Sequence, residues 1–382
     1  MKGRTAIFPA AGLACILACL LSLTLGASGM ALGELLQAFA RPDSTPGRIL
    51  FLVRLPRTCG CMLAGAALAV SGCVIQGVLA NPLASPGIIG VNAGAGFAVT
   101  VCCALGALSG WATALSAFLG ALTAAAAIAF FGSRAGASRT TVILAGVAIN
   151  AFLNGLSESV TALFPDAAML SVDFRVGGFG AVAVSRLVPA GVLILAALAV
   201  VCSLHNELDV LSLGADTARS LGMNVRRMQA LFLVLAALLA GASVSFAGLL
   251  GFVGLIVPHG CRKAVGSEAG LLLPLSALAG AAFVTLADLL ARLVFAPFEL
   301  PVGILLSGMG GPFFLLLLLG HLPALGTHVG KDHVVAIPDI LLERKGTAGA
   351  DALNEVPKIG EADGFLGLDD GVIVIQNQAA IF

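Results

Sequence analysis

Apolar stretches of the kind that crosses a hydrocarbon core, some of them short, recur ten times between the start of this chain and about Gly320, and that recurrence leaves few folds open to it. A span needs about 20 consecutive apolar residues. The stretches lie at residues 5–26, 57–78, 88–107, 109–132, 140–163, 184–204, 228–250, 252–263, 271–293 and 302–319, divided by Gly, Pro and charge. They predict an all-α polytopic membrane protein. Composition excludes an ordinary soluble domain: 59% of residues are hydrophobic, 10% are charged, and mean hydropathy is +1.06.

The first stretch follows Lys2 and Arg4 and runs past Cys15 and Cys19 without the polar start of a mature domain, so it reads as an uncleaved span with its N-terminus inside. Alternation from there puts both chain ends in the cytoplasm. The positive-inside bias supports this weakly, because Arg134, Arg139, Arg219, Arg226, Arg227, Arg262 and Lys263 fall inside while Arg41, Arg48, Arg54, Arg57, Arg175, Arg186 and Arg292 fall outside. None of the nine cysteines forms a C-x-x-C pair; Cys59 and Cys61 are one residue apart, and Cys102 and Cys103 adjoin. They read as small apolar fillers rather than metal ligands or disulfides.

The spans also echo one another. Leu63-Ala-Gly-Ala66 with Gly72 in the second returns as Leu239-Ala-Gly-Ala242 with Gly248 in the seventh. Leu115-Ser-Ala117 with Gly120-Ala121 in the fourth returns as Leu275-Ser-Ala277 with Gly280-Ala281 in the ninth. Two four-span blocks separated by an odd number of spans run in opposite directions, the inverted-repeat plan of many transporters. Chance similarity among Gly/Ala-rich helices competes with that reading, because small residues serve close helix packing wherever they fall.

Nine motifs then occur in order from about residue 50 to residue 319. They are Arg54-Leu-Pro-Arg57; Leu63 to Gly72; Gln76-Gly77 with Asn81-Pro-Leu-Ala-x-Pro-Gly87; Leu144-Ala-Gly-Val-Ala148; and Leu213-Gly-Ala-Asp-x-Ala-Arg-x-Leu-Gly222. Gly251-Phe-Val-Gly-Leu-Ile-Val-Pro-His259, Leu286-Ala-Asp-x-x-Ala-Arg292, Glu299-Leu-Pro-Val-Gly303 and Gly311-Pro-Phe-Phe314 complete the series. The series resembles the FecCD-type permeases, the membrane subunits of ABC importers for ferric siderophores, haem and cobalamin. The resemblance implies the type II importer fold and a bacterial inner-membrane location. It also implies a second permease copy, with a homodimer expected, two cytoplasmic ATP-binding subunits and a periplasmic or lipid-anchored substrate-binding protein. The cargo it implies is a metal chelate, a ferric siderophore first, with haem and cobalamin as the other candidates. No cofactor, catalytic residue or nucleic acid is implied. Gly326 to Asp332 is one residue short of a phosphate-binding loop and has Asp where Ser or Thr would hold magnesium, so ATP hydrolysis belongs to another chain.

By the same resemblance, Arg54, Arg57 and Arg292 match positions that contact acidic residues of the binding protein. Arginine's planar fork suits a carboxylate; interfacial anchoring is the alternative. Asp288 sits four residues before Arg292, so the two share a helix face and pairing is open to them. The cytoplasmic loop 205–227 has apolar residues spaced for a short amphipathic helix, and its likeness to the segment that enters an ATPase groove gives Gly214, Ala215, Ala218, Leu221 and Gly222 a coupling role. Asn81 and Pro82 at the inner mouth, with Arg139, Thr140 and Thr141 opening the fifth span, are gate candidates that a Pro/Gly turn and a helix cap explain equally well. His259 is expected to hydrogen-bond within the bundle.

The chain departs from the family in two places. Ser171 to Phe179 carries only phenylalanine as its aromatic, and with no tyrosine and one tryptophan in the chain an aromatic cage is not expected. Beyond a permease domain at residues 1–320, residues 321–382 form a polar extension, expected to be cytoplasmic and poorly ordered apart from a strand-like Gly371 to Gln376. His321, His328 and His333 lack the spacing of a metal site. The competing class is an ion-driven secondary transporter, whose mark would be a midplane acid or base relay. Glu158 and Asp288 instead lie toward the outer ends of their spans.

Overall fold

The computed structural model describes residues 7–26, 32–134, 139–294, 296, 298–328, 368–369 and 372–373, with backbone only at 32, 132–134, 139 and beyond 317. The chain divides into two compact units, Met1–Leu319 and Gly320–Phe382. In the second, Leu368–Asp369 (β1) pairs antiparallel with Val372–Ile373 (β2). The rest of the expected extension beyond His328 lies outside the described residues.

Among the described residues of the first unit the regular elements are helices, joined by turns and loops. Its elements are α1 (Ile7–Thr24), α2 (Leu32–Ala40), α3 (Thr45–Leu79), α4 (Val91–Ala104), α5 (Gly110–Arg134), α6 (Arg139–Leu163) and α7 (Pro165–Val176). They continue with α8 (Val184–Ser203), α9 (His205–Ser212), α10 (Ala215–Ser220), α11 (Val225–Ala247), α12 (Val253–Val265), α13 (Ala269–Leu293) and α14 (Val302–His328). Among the described residues seven helices are long and apolar enough to cross a membrane, and α4, α12 and α14 are shorter or less uniformly apolar, so each of the ten expected stretches has its helix. The second span is longer than its apolar core, because Ser44 caps the Thr45 turn from Gly47 N and a π turn at Leu50–Arg54 carries the helix on. α2, α7 and the division of the cytoplasmic loop have no counterpart in the apolar pattern.

α3, α11 and α13 form the centre. α3 packs most extensively on α13, and α11 packs on both α5 and α3. Exchanging the two four-span blocks turns the α3–α13 contact into α11–α5 and leaves α3–α11 in place, which is the packing an internal two-fold requires. The motif glycines sit at these crossings: a Cβ on Gly65 would lie 2.1 Å from the Gly280 carbonyl oxygen, and one on Gly241 would lie 3.1 Å from Ala121 Cβ. Each is the close approach that small residues permit where no hydrophobic drive pulls helices together. Alternation gives the bundle two ends, one holding Arg57, Glu158 and Glu299, the other holding Asn81, Thr140, Asp209 and Arg262.

Candidate functional site

At the first end the polar residues of three helices meet in an apolar wall. Arg57 on α3 grips Asp288 on α13 with a fork, Nε donating to Oδ2 and Nη2 to Oδ1 at 3.0 Å each. Its remaining amino group donates to Glu299 Oε2 at 2.7 Å. Asp288 is 1% exposed and Glu299 46%, so the inner carboxylate is locked and the outer one faces solvent. Arg292, a helical turn beyond Asp288, lies 3.1 Å from Oδ2 in a charge contact, and its Nη2 donates to Ser22 Oγ at 3.0 Å. Arg54 donates from Nη1 to the Leu23 and Thr24 carbonyls at the end of α1. Ser22 and Thr58 share a hydrogen bond of 2.8 Å. Three guanidinium groups thus face two carboxylates, an excess of one positive charge within this cluster.

The three docking candidates are therefore brought together, and Arg57 reaches a solvent-facing partner in Glu299. Arg54 and Arg292 are each 6% exposed and turn their donors onto α1. A cavity of about 400 Å³ opens beside Arg57 and Glu299 and is also lined by Asp173, Phe174 and Arg186.

At the second end, α9 and α10 replace the single amphipathic helix expected there. Gly214 separates them at φ +122° and Gly222 closes α10 at φ +85°, conformations that L side chains rarely adopt. Ala218 is buried, whereas Leu213 and Leu221 are 66% and 64% exposed. The pair presents an apolar tip beside the Asp216–Arg219 ion pair. Asp209 on α9 accepts from the Ala269 N–H at 2.9 Å and so caps α13. Asp209 also lines a cavity of about 350 Å³ with Gln76, Asn81, Pro82, Ser212 and Arg262.

The gate candidates are spread. Asn81 Oδ1 accepts from Leu83 N in an Asx turn after Ala80, which stands at φ +42°. Thr140 is exposed and Thr141 half-buried at the start of α6, while the Arg139 side chain lies outside the described residues. His259 rests edge-on against Phe313, with ring centroids 5.8 Å apart.

Sequence reasoning missed a polar wall on α6. Asn150, Asn154 and Ser157 recur at helical spacing in this span and, with Glu158, Asn92 and Arg175, line a cavity of about 380 Å³. The periodicity of polar residues inside an apolar stretch was the signal available.

Comparison with known proteins gives one family. The model of the FecCD transport family matches residues 14–320. The iron(3+)-hydroxamate import system permease protein FhuB of Bacillus subtilis is 38% identical over 305 residues, 78% of each chain. The hemin transport system permease protein HmuU of Yersinia pestis is 36% identical over 331 residues, 84% of this chain and 98% of that protein. A solved inward-facing conformation of a metal-chelate type ABC transporter superposes with a TM-score of 0.74 at 28% identity, covering 83% of this chain and 99% of that one.

Proposed function

This chain belongs to the FecCD transport family, and from that premise we propose that it is the permease subunit of an ATP-driven importer of an iron chelate. Two copies enclose the path in the bacterial cytoplasmic membrane, separate cytoplasmic subunits hydrolyse ATP, and a periplasmic or lipid-anchored binding protein delivers the chelate. The observation that carries this reading is the likeness to import-system permeases for hydroxamate iron and for hemin, each matched along at least 78% of its own length.

The geometry supports a division of labour. Arg57 is the docking arginine, and a carboxylate of the binding protein replaces Glu299 on its outer amino group; Arg54 and Arg292 hold the positive potential behind it. The apolar tip at Leu213 and Leu221, set by Gly214, Ala215, Ala218 and Gly222, enters the ATPase, and its displacement drives the switch from outward-open to inward-open. Asn81, Pro82, Arg139, Thr140 and Thr141 form the inner gate.

Purification of the chain from its native membrane in mild detergent, with mass spectrometry of bound subunits, tests the reading. A stoichiometric ATP-binding subunit is the expected result. A folded chain without one, whose uptake collapses with the ion gradient, overturns it.

A further inference from the structure

Gln76 is an amide buried near the cytoplasmic end of α3, 3% exposed, and both ends of the amide are spent on other segments. Nε2 donates to the Ala84 carbonyl in the loop after Asn81 and to the Gly254 carbonyl in the first turn of α12, at 3.2 Å each. Oε1 accepts from Arg262 Nη2, near the other end of α12, at 2.9 Å. These groups fit in one sense only. Arginine has no acceptor and a carbonyl has no donor, so the amide oxygen must face Arg262 and the amide nitrogen must face the carbonyls.

The sequence creates the need for this amide. Pro258 lies four residues after Gly254 and has no N–H, so the Gly254 carbonyl lacks its ordinary helical donor and takes Gln76 Nε2 instead. Ala84 is fully buried in an irregular loop, where its carbonyl has no helix ladder to join. The crossing of α3 and α12 does not itself call for an amide, because Gly72 and Gly254 already bring the two backbones together. The offset that carries Leu63-Ala-Gly-Ala66 onto Leu239-Ala-Gly-Ala242 carries Gln76 onto Phe252, so the other half of the molecule has an apolar ring at this place. An apolar side chain buries without the desolvation that an amide must recover.

What the amide adds is a link between elements. Through Gln76 the loop 81–90 is tied to α12. Past the end of α12 the chain turns at Gly266, φ +89°, into the start of α13, which Asp209 of α9 caps. Gln76, Asn81, Asp209 and Arg262 all line the cavity of about 350 Å³ at this end. Arg262 orients the amide by a single donation, since its Nη1 is buried with no hydrogen-bond partner.

We propose that Gln76 is the positioning residue of the inner gate, an amide latch that makes the loop 81–90 move with α12, and that Arg262 holds the amide in the sense the latch needs. The role presupposes the importer reading, in which Asn81 and Pro82 belong to the gate. Movement of α9 reaches the loop through α12 while the latch is closed. Breaking the latch separates uptake from ATP hydrolysis and leaves the docking end untouched.

The test uses the whole importer, with its ATP-binding subunits and binding protein, in liposomes. Uptake of a ferric trihydroxamate, ferric citrate and hemin is measured per ATP hydrolysed, beside the stimulation of hydrolysis by loaded binding protein. Gln76→Glu keeps the contact with Arg262 but turns an acceptor on both carbonyls. It is expected to lower the chelate moved per ATP about tenfold or more, the weight of two neutral hydrogen bonds, with ATPase stimulation within twofold of wild type. Arg262→Met lowers the same ratio, whereas Arg262→Lys, which keeps one donor, stays within twofold. A merely structural role would move stimulation and uptake together, and that result overturns the latch. So does a Gln76→Glu ratio within twofold of wild type. Where Gln76→Glu fails to assemble, the Arg262 pair decides: equal damage by Met and Lys overturns the latch, and rescue by Lys supports it. A wild type that moves no ferric probe overturns the importer reading itself, and the latch falls with it.

Discussion

Asp288 does at residue scale what no single arginine can: its one buried carboxylate neutralises Arg57 through a fork and lies 3.1 Å from Arg292. Removing one member of a buried charge set leaves the others desolvated and unpaired, at roughly 3–5 kcal/mol. Asp288→Asn is therefore expected to destabilise the chain by about 3 kcal/mol, read as thermal unfolding in detergent. Glu299→Gln deletes an exposed partner of the same arginine and should cost less than about 1 kcal/mol. The two variants separate stability from docking. If Glu299 holds the place that the binding protein's carboxylate takes, Glu299→Gln tightens binding-protein association, most visibly at low salt; unchanged affinity would remove Arg57 from the docking surface. Only part of this cluster was legible in the sequence. The Asp288–Arg292 contact follows from i,i+4 spacing on one helix, but Arg57 comes from 231 residues away and only the α3–α13 crossing brings it there.

At the scale of elements, the glycines decide which helices touch. A Cβ at Gly65 would lie 2.1 Å from a backbone oxygen of α13, and one at Gly72 would lie 1.9 Å from the Gly254 oxygen of α12. Backbone cannot yield as a flexible side chain does, so Gly65→Ala and Gly72→Ala are expected to cost about 3 kcal/mol or more through overpacking. Gly12→Ala on α1 meets nothing within 4 Å and should be neutral in the same unfolding assay. Gly214 and Gly222 have open space around them, yet their positive φ makes Ala there a backbone strain of about 1–3 kcal/mol confined to the α9–α10 tip. Gly214→Ala should thus lower binding-protein-stimulated ATP hydrolysis while the bundle unfolds nearly as before. Apolar length made the ten spans readable, since it states the requirement of a hydrocarbon core directly. It was silent on α2 and α7, too short and too polar to count as spans, and on the break at Gly214. That break depends on a backbone conformation that glycine permits but does not announce.

Across the whole molecule the two ends are joined by α13. Its start is capped by Asp209 of α9, and nineteen residues on, at a rise of about 1.5 Å each or some 28 Å, it carries Asp288 and the grip on Arg57. This helix packs against α3, so on the proposed coupling a displacement of α9 by an ATP-binding subunit would be carried to Arg57 and Glu299 at the far face. Thermodynamic reciprocity then sets a strict expectation. Whatever factor the nucleotide state imposes on binding-protein affinity, the binding protein must impose on nucleotide affinity, typically about 5–150-fold. Asp209→Asn weakens the cap without touching either partner's surface at the first end, and it should reduce both factors together, by about threefold or more, while leaving each subunit bound. Titrating the binding protein against the nucleotide-free and nucleotide-bound complex, and nucleotide against the docked and undocked complex, measures both. Equal reduction assigns the transmission to the Asp209–α13 joint. Two intact factors would mean that the ends communicate through α11 and α5 instead, the other half of the internal two-fold.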